Sequence, residues 1–264
     1  MVTNREHAQE SRARAQEIPI KGVIRGEPRY YTVTPEIVRL LEKLRQLKEE
    51  VSTQPTIMRY RRVRKTIDIL NQKGDAKISF FFDCRNRQSP MRRLRHFLKY
   101  SGAPLSRKDV VVKINGDHLK PELETYGLHK IPGGKTPPFD NSTDLYINPQ
   151  SPIKPNRAFT YEYTVCLEGV YSKALEKEWT SHAIMHPTNS LELSIRAPSN
   201  YQFVKEALNI KVIQYNGLID VLEIERITNK FKPIFMKDNT EILWEIKNPK
   251  ITYTYEIYFK ISKV

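Results

Sequence analysis

The sequence predicts an α+β fold: a basic, α-rich N-terminal module with a small sheet, followed by an antiparallel β-sandwich. Three observations lead there. Apolar residues recur at helical three-and-four spacing through much of the first hundred residues. A proline-rich stretch then interrupts all periodicity. Beyond it, apolar and polar residues alternate at period two in successive short runs. The boundaries implied are a polar tail over 1–16, a basic α/β module over 17–120, a Pro-rich linker over 121–156 and the sandwich over 157–264.

The tail, Met1 to Gln16, is mixed in charge and lacks the apolar centre of a secretory signal. Ile18 to Val33 reads as one or two short strands broken at Gly26-Glu27-Pro28. Thr34 then caps a helix with Pro35 at its first position, where a missing N–H costs nothing. Ile37, Leu40, Leu41, Leu44, Leu47 and Val51 share one side of it, and Arg39, Glu42, Lys43, Gln46 and Glu49 the other.

A second helix is expected over 57–73, with Tyr60, Val63, Ile67 and Leu70 as its stripe and Gly74 as its C-cap. Lys77 to Cys84 is a near-continuous apolar strand, as expected for one covered on both faces. Ser89 and Pro90 open a third helix over 89–101, which Gly102 ends. Met91, Leu94, Phe97 and Leu98 form its apolar face. Asp109 to Ile114 is a strand, and Asn115-Gly116 is a hairpin turn. Strand, helix and strand have the spacing of a βαβ unit, which would put the loop Arg85-Asn86-Arg87-Gln88 at a helix N-terminus, where anions bind.

Residues 121–155 hold seven of the seventeen prolines and read as an irregular connection. The strand candidates that follow are Ala158 to Leu167, Leu191 to Arg196, Leu208 to Tyr215, Leu218 to Ile227, Glu241 to Lys247 and Ile251 to Ile261. Asn216-Gly217 and Asn248-Pro249 are turns between them. The last pair, Trp244 to Tyr258, reads as a closing hairpin.

Charge sharpens the functional question. The chain carries a net +14, and residues 51–100 hold thirteen Lys and Arg against three Asp and Glu. Nine of those thirteen are Arg, whose planar fork suits phosphate and carboxylate. The candidate nucleic-acid-binding residues are Arg59, Arg61, Arg62, Arg64, Lys65, Arg85, Arg87, Arg92, Arg93, Arg95 and Lys99. The function this favours is a non-catalytic, nucleic-acid-associated regulator or adaptor, binding DNA or RNA through basic helices while the β half meets a protein partner or senses a signal. One alternative is a structural or interaction protein whose basic face meets an acidic partner, an anionic membrane surface or its own assembly.

A second alternative is a Mg²⁺-dependent nuclease. Glu245-Ile246-Lys247 ends an apolar strand, and Asp220, Glu223 or Glu225 could supply a further carboxylate; the acids would hold the metal and Lys would align the water. Among the histidines, His182 and His186 stand four apart but lack the glutamate of an HExxH motif. Cys84 and Cys166 lie far apart and read as buried free thiols, which suits a reducing compartment. No nucleophile elbow, dinucleotide fingerprint or phosphate loop occurs, so no cofactor is expected. No apolar run reaches about 18 residues, so no transmembrane segment is expected either. A cytoplasmic or nuclear location follows.

Overall fold

The computed structural model describes residues 19–24, 27–32, 58–100, 103–127, 141–214 and 219–264. The chain divides into two compact units, 1–55 and 56–264. In the first, β1 (Pro19–Ile24) and β2 (Glu27–Thr32) pair antiparallel, as the Ile18–Val33 run predicts. The polar tail and the amphipathic helix from Thr34 to Val51 lie outside the described residues.

The second unit corrects the expected fold class. Where helices are expected over 57–73 and 89–101, the chain forms strands β3 (Met58–Ile69) and β5 (Leu94–Tyr100). The cause in β3 is a bulge between Tyr60 and Arg62. A bulge puts two residues opposite one, so the inward step from Tyr60 to Val63 is three residues and not two. Three followed by four, from Val63 to Ile67, imitates a helical stripe. In the strand the inward residues are Met58, Tyr60, Val63, Lys65, Ile67 and Ile69, and Leu70 is exposed. In β5, Leu94, His96, Leu98 and Tyr100 are covered to differing degrees, while Arg95 and Phe97 are exposed.

The βαβ unit does not form. β4 (Ala76–Asn86) and β6 (Val110–Ile114) are separated in the sheet by β10 (Ala158–Leu167), antiparallel to both. The expected strand Leu218 to Ile227 is largely a helix, α1 (Val221–Lys230). Asp220 caps it, its Oδ1 accepting from the Glu223 N–H at 2.8 Å. Among the described residues this is the one α-helix, and most of the rest is strand.

The main sheet has eight strands. Their order is β15 (Ile234–Met236), β16 (Glu241–Lys247), β12 (Ser190–Arg196), β3, β4, β10, β6 and β7 (Asp117–Leu119). Every pairing is antiparallel except β12 with β3. Strands from both halves of the sequence therefore share one sheet, and the second half is not a self-contained sandwich. The Asn248-Pro249 connection is not a hairpin. It carries the chain from β16 into a different sheet, where β17 (Tyr253–Phe259) lies between β11 (Glu178–Ile184) and β14 (Asn209–Gln214). The proline-rich stretch supplies β8 (Glu122–Gly127) and β9 (Asn141–Ile147), which pair with each other while β9 also pairs with β5. β13 (Tyr201–Phe203) and β18 (Ile261–Lys263) form a short ladder.

One face of the main sheet is apolar. It buries Val63 and Ile67, Phe80 and Phe82, Tyr161 and Tyr163, Leu191 to Ile195 at alternate positions, and Ile242, Trp244 and Ile246. Covering a large apolar side chain of this kind is worth about 1.5–3 kcal/mol. Both three-stranded sheets lie over this face. His96 of β5 has its ring centre 4.8 Å from that of Tyr163, and Tyr255 of β17 meets Trp244 edge-on at 6.3 Å. The opposite face is polar and laced with cross-strand ion pairs. Among the described residues no helix is long and apolar enough to cross a membrane.

Candidate functional site

A cavity of about 710 Å³ opens where β5 and β11 lie over β3, β4 and β10. Period-two alternation aims Tyr60, Val63 and Lys65 into it from β3, Phe80 and Phe82 from β4, and Tyr163 from β10. β5 adds His96 and Leu98, and β11 with the chain beyond it adds Trp179, Ser181, His182, Ile184 and His186. The rings form a continuous wall. Phe80 stacks on Tyr163 at 4.6 Å, Phe82 on Tyr161 at 4.4 Å, and the Tyr60 and Tyr161 hydroxyls lie 3.2 Å apart.

Lys65 is the exceptional residue. It is 8 % exposed, and its ammonium donates to Thr180 Oγ1 at 2.7 Å and to the Ser181 carbonyl at 2.9 Å. It also faces the Phe80 ring at 5.5 Å. No carboxylate pairs with it among the described residues. Burial lowers its pKa to about 8.

The histidines respond to the same environment. Burial, reinforced by His186, lowers His96 to about 4. Burial, reinforced by Lys65 and His96, lowers His182 to about 3. Burial also lowers His186, whose Nδ1 is shut off from solvent without a hydrogen-bond partner among the described residues. The cavity thus contains Lys65, three imidazoles and Arg95, itself paired with Asp144, and among the described residues no Asp or Glu lines it.

Lys65 is the one candidate nucleic-acid contact that the structure buries in this cavity; Arg95 reaches its edge. Of the others, Arg59, Arg61, Arg62, Arg64 and Arg85 lie on β3 and β4, Arg87, Arg92 and Arg93 on the chain between β4 and β5, and Lys99 on β5. Arg61 pairs with Asp83 at 2.7 Å, Arg62 and Arg64 with Glu192 at 2.5 and 2.6 Å, Arg93 with Glu122 at 2.7 Å, and Arg95 with Asp144 at 2.7 Å. Arg59, Arg85, Arg87 and Arg92 are exposed and make no ion pair among the described residues. Lys99 lies on β5 opposite Ser142.

The acidic residues of the nuclease reading are not brought together as a metal site. Glu245 pairs with Lys247 and accepts from Ser190. Asp220 and Glu223 belong to a separate network: Arg226 donates twice to Glu223, Tyr255 donates to Glu223, Tyr253 donates to Asp220, and Lys250 bridges both acids. Among the described residues no three His, Cys, Asp or Glu side chains are placed to hold a metal ion. Cys84 is buried as expected, whereas Cys166 is exposed.

Sequence reasoning missed the cavity because Lys65 falls among the basic residues on a helical wheel and among the apolar ones on a strand. The readable signal was the alternation Leu94, His96, Leu98, Tyr100, which gives the inward histidine directly.

No known family model matches the chain, and no curated protein matches it in sequence. Solved structures do show a distant likeness. A putative protease from Parabacteroides distasonis matches with a TM-score of 0.44 at 9% identity, over 77% of this chain and 40% of that one. Yeast LTA4 hydrolase in complex with bestatin matches with a TM-score of 0.38 at 13% identity, over 76% and 28%. A zinc metallopeptidase from Deinococcus radiodurans matches with a TM-score of 0.37 at 8% identity, over 77% and 42%. The chain spans less than half the length of each.

Proposed function

We propose that this chain is a non-catalytic recognition module whose cavity binds a small organic anion, most simply an aromatic carboxylate. The observation that carries the reading is the buried Lys65 ammonium with no carboxylate partner among the described residues, facing a cavity without acids. A buried charge is costly unless paired, so a ligand carboxylate there offsets a penalty the empty protein bears. The stacked Phe80, Phe82 and Tyr163 rings offer a flat apolar bed. The volume falls within the range of about 300–1,000 Å³ typical of ligand cavities. Ligand capture in the β-rich part agrees with a signal-sensing role.

Isothermal titration with benzoate, indole-3-carboxylate and the uncharged benzyl alcohol tests this on the full chain. The two carboxylates are expected to bind. Lys65→Met, which keeps the volume and removes the charge, is expected to weaken them by about ten-fold or more, since charged hydrogen bonds contribute roughly 1.5–3 kcal/mol. Affinity should fall as pH rises through about 8, where Lys65 loses its proton. Benzyl alcohol binding as well as benzoate, or carboxylate binding unchanged in Lys65→Met, refutes the reading.

A further inference from the structure

The second inference concerns cations at the end of the main sheet where β3 begins and β4 ends, none of which lines the cavity. Three segments meet where β3 begins and β4 ends: 58–65, 84–93 and 148–161. None contains an Asp or Glu. They are clamped on Asn86, which is fully buried. Its side-chain amide donates to the Ser89 carbonyl at 2.7 Å and the Ile153 carbonyl at 2.8 Å. Its backbone N–H donates to Arg157 and its carbonyl accepts from Asn156. Met91 and Ile153 exchange both backbone hydrogen bonds, locking the two loops side by side.

This scaffold displays cations at fixed positions. Arg59 and Arg85 are cross-strand partners, so their side chains leave the same face of the sheet. Arg87 and Arg92 follow in the first loop, and Lys154 and Arg157 in the second. All six are exposed, and none makes an ion pair among the described residues. Arg59 reaches only the neutral Asn189 amide oxygen, at 3.5 Å. The neighbouring acids are engaged elsewhere: Asp83 by Arg61, Glu122 by Arg93 and Glu192 by Arg62 and Arg64. Asp117 shares a cleft of about 200 Å³ with Lys154 and Arg157, leaving that cleft net positive.

Like charges held together by a rigid, hydrogen-bonded frame repel one another, and a polyanion relieves that repulsion. Five of the six are Arg, whose fork matches phosphate oxygens two at a time. We propose that this end of the sheet is a docking surface for the phosphate backbone of a nucleic acid, with Arg59, Arg85, Arg87, Arg92, Lys154 and Arg157 as its contacts. Contacts made by these cations are to phosphate, so the recognition proposed is of backbone charge and not of sequence.

The test is fluorescence anisotropy of the full chain with a short labelled DNA duplex and a labelled single-stranded RNA across a salt series. Engagement of four phosphates should lower affinity ~10²-fold between about 50 and about 200 mM salt. The triple variant Arg85→Ser, Arg87→Ser, Arg157→Ser should flatten the slope of log affinity against log salt by about three, one per contact. Lys205→Ser, Lys230→Ser, Lys263→Ser removes the same charge from exposed positions elsewhere and should leave the slope unchanged. Equal losses in both triple variants reduce the effect to net charge and overturn the proposal. So does tighter binding to polyglutamate or to phosphatidylserine vesicles than to either nucleic acid, which would assign the surface to an acidic protein or a membrane. Carboxylate binding in the cavity is measured separately, so either proposal can fail alone.

Discussion

At the scale of single residues, burial without acidic partners decides how the cavity behaves. His96 and His182 are held neutral, at about 4 and about 3 against an ordinary 6.5. The unfolded chain takes up these protons first, so their stabilising contribution is complete above pH 6.5 and is lost as the pH falls toward 4 and then 3. For His96 the shift corresponds to a loss on the order of 3 kcal/mol. Lys65 is also depressed, at about 8 against 10.5, so its contribution is complete above pH 10.5 and is lost as the pH falls through 8. Melting temperature should therefore drop between pH 6.5 and 4, and His96→Phe should drop less steeply over that window. Parallel curves for the two proteins would show that His96 is not shielded as described. The same residues explain what the sequence concealed. A lysine reads as surface until its strand is known, and three histidines at positions 96, 182 and 186 have no common spacing until β5 and β11 are laid over one sheet.

At the scale of elements, the β3–β4 turn shows how tightly the strands are constrained. Gly74 sits at φ +83°, and a Cβ there would stand 2.1 Å from the Tyr171 backbone carbon. Its carbonyl accepts from the Tyr171 N–H at 2.9 Å, so the two backbones cannot separate without losing that bond. Gly74→Ala should destabilise the protein by at least ~2 kcal/mol, from the left-handed backbone and the clash together. Urea unfolding measures it, and a loss below a few tenths of a kcal/mol would contradict the contact. Gly74 was legible as a special position, though as the C-cap of a helix. An apolar run identified the strand at Lys77 to Cys84, β-branched residues marked Asp109 to Ile114, alternation identified Ala158 to Leu167, and Asn115-Gly116 marked a real turn, with both residues at positive φ. The errors have local causes. The bulge gave β3 a helical rhythm. Ser89-Pro90 imitated a helix start, although the Ser89 carbonyl accepts from Asn86. In α1 the capping Asp220 and the Glu223–Arg226 pair at i,i+3 were the helical signal, masked by the apolar alternation of its first residues.

At the scale of the whole molecule, the decisive feature is pairing between distant parts of the chain, which no local pattern reveals. β3 lies between β4, its neighbour in sequence, and β12, which pairs with it in parallel at Leu191 opposite Val63 and Ile195 opposite Ile67. β10 lies between β4 and β6 and supplies Tyr161 and Tyr163 to the shared aromatic wall. Removing residues before 157 would leave β10 without either neighbour and β12 with one exposed edge. It would also uncover Leu191, Leu193 and Ile195, all at most 1 % exposed in the intact chain. Unpaired edges and bare apolar faces do not persist in water. The fragment 157–264 should therefore show no cooperative thermal transition and little near-ultraviolet circular dichroism, whereas 56–264 should melt in one step. A sharp transition in 157–264 alone would mean that β12, β16 and β17 stabilise each other without the main sheet. The cavity makes the same demand. Lys65 comes from one side of the sequence and Thr180, which holds its ammonium, from the other, so a ligand that grips Lys65 should raise the melting temperature of both parts as one.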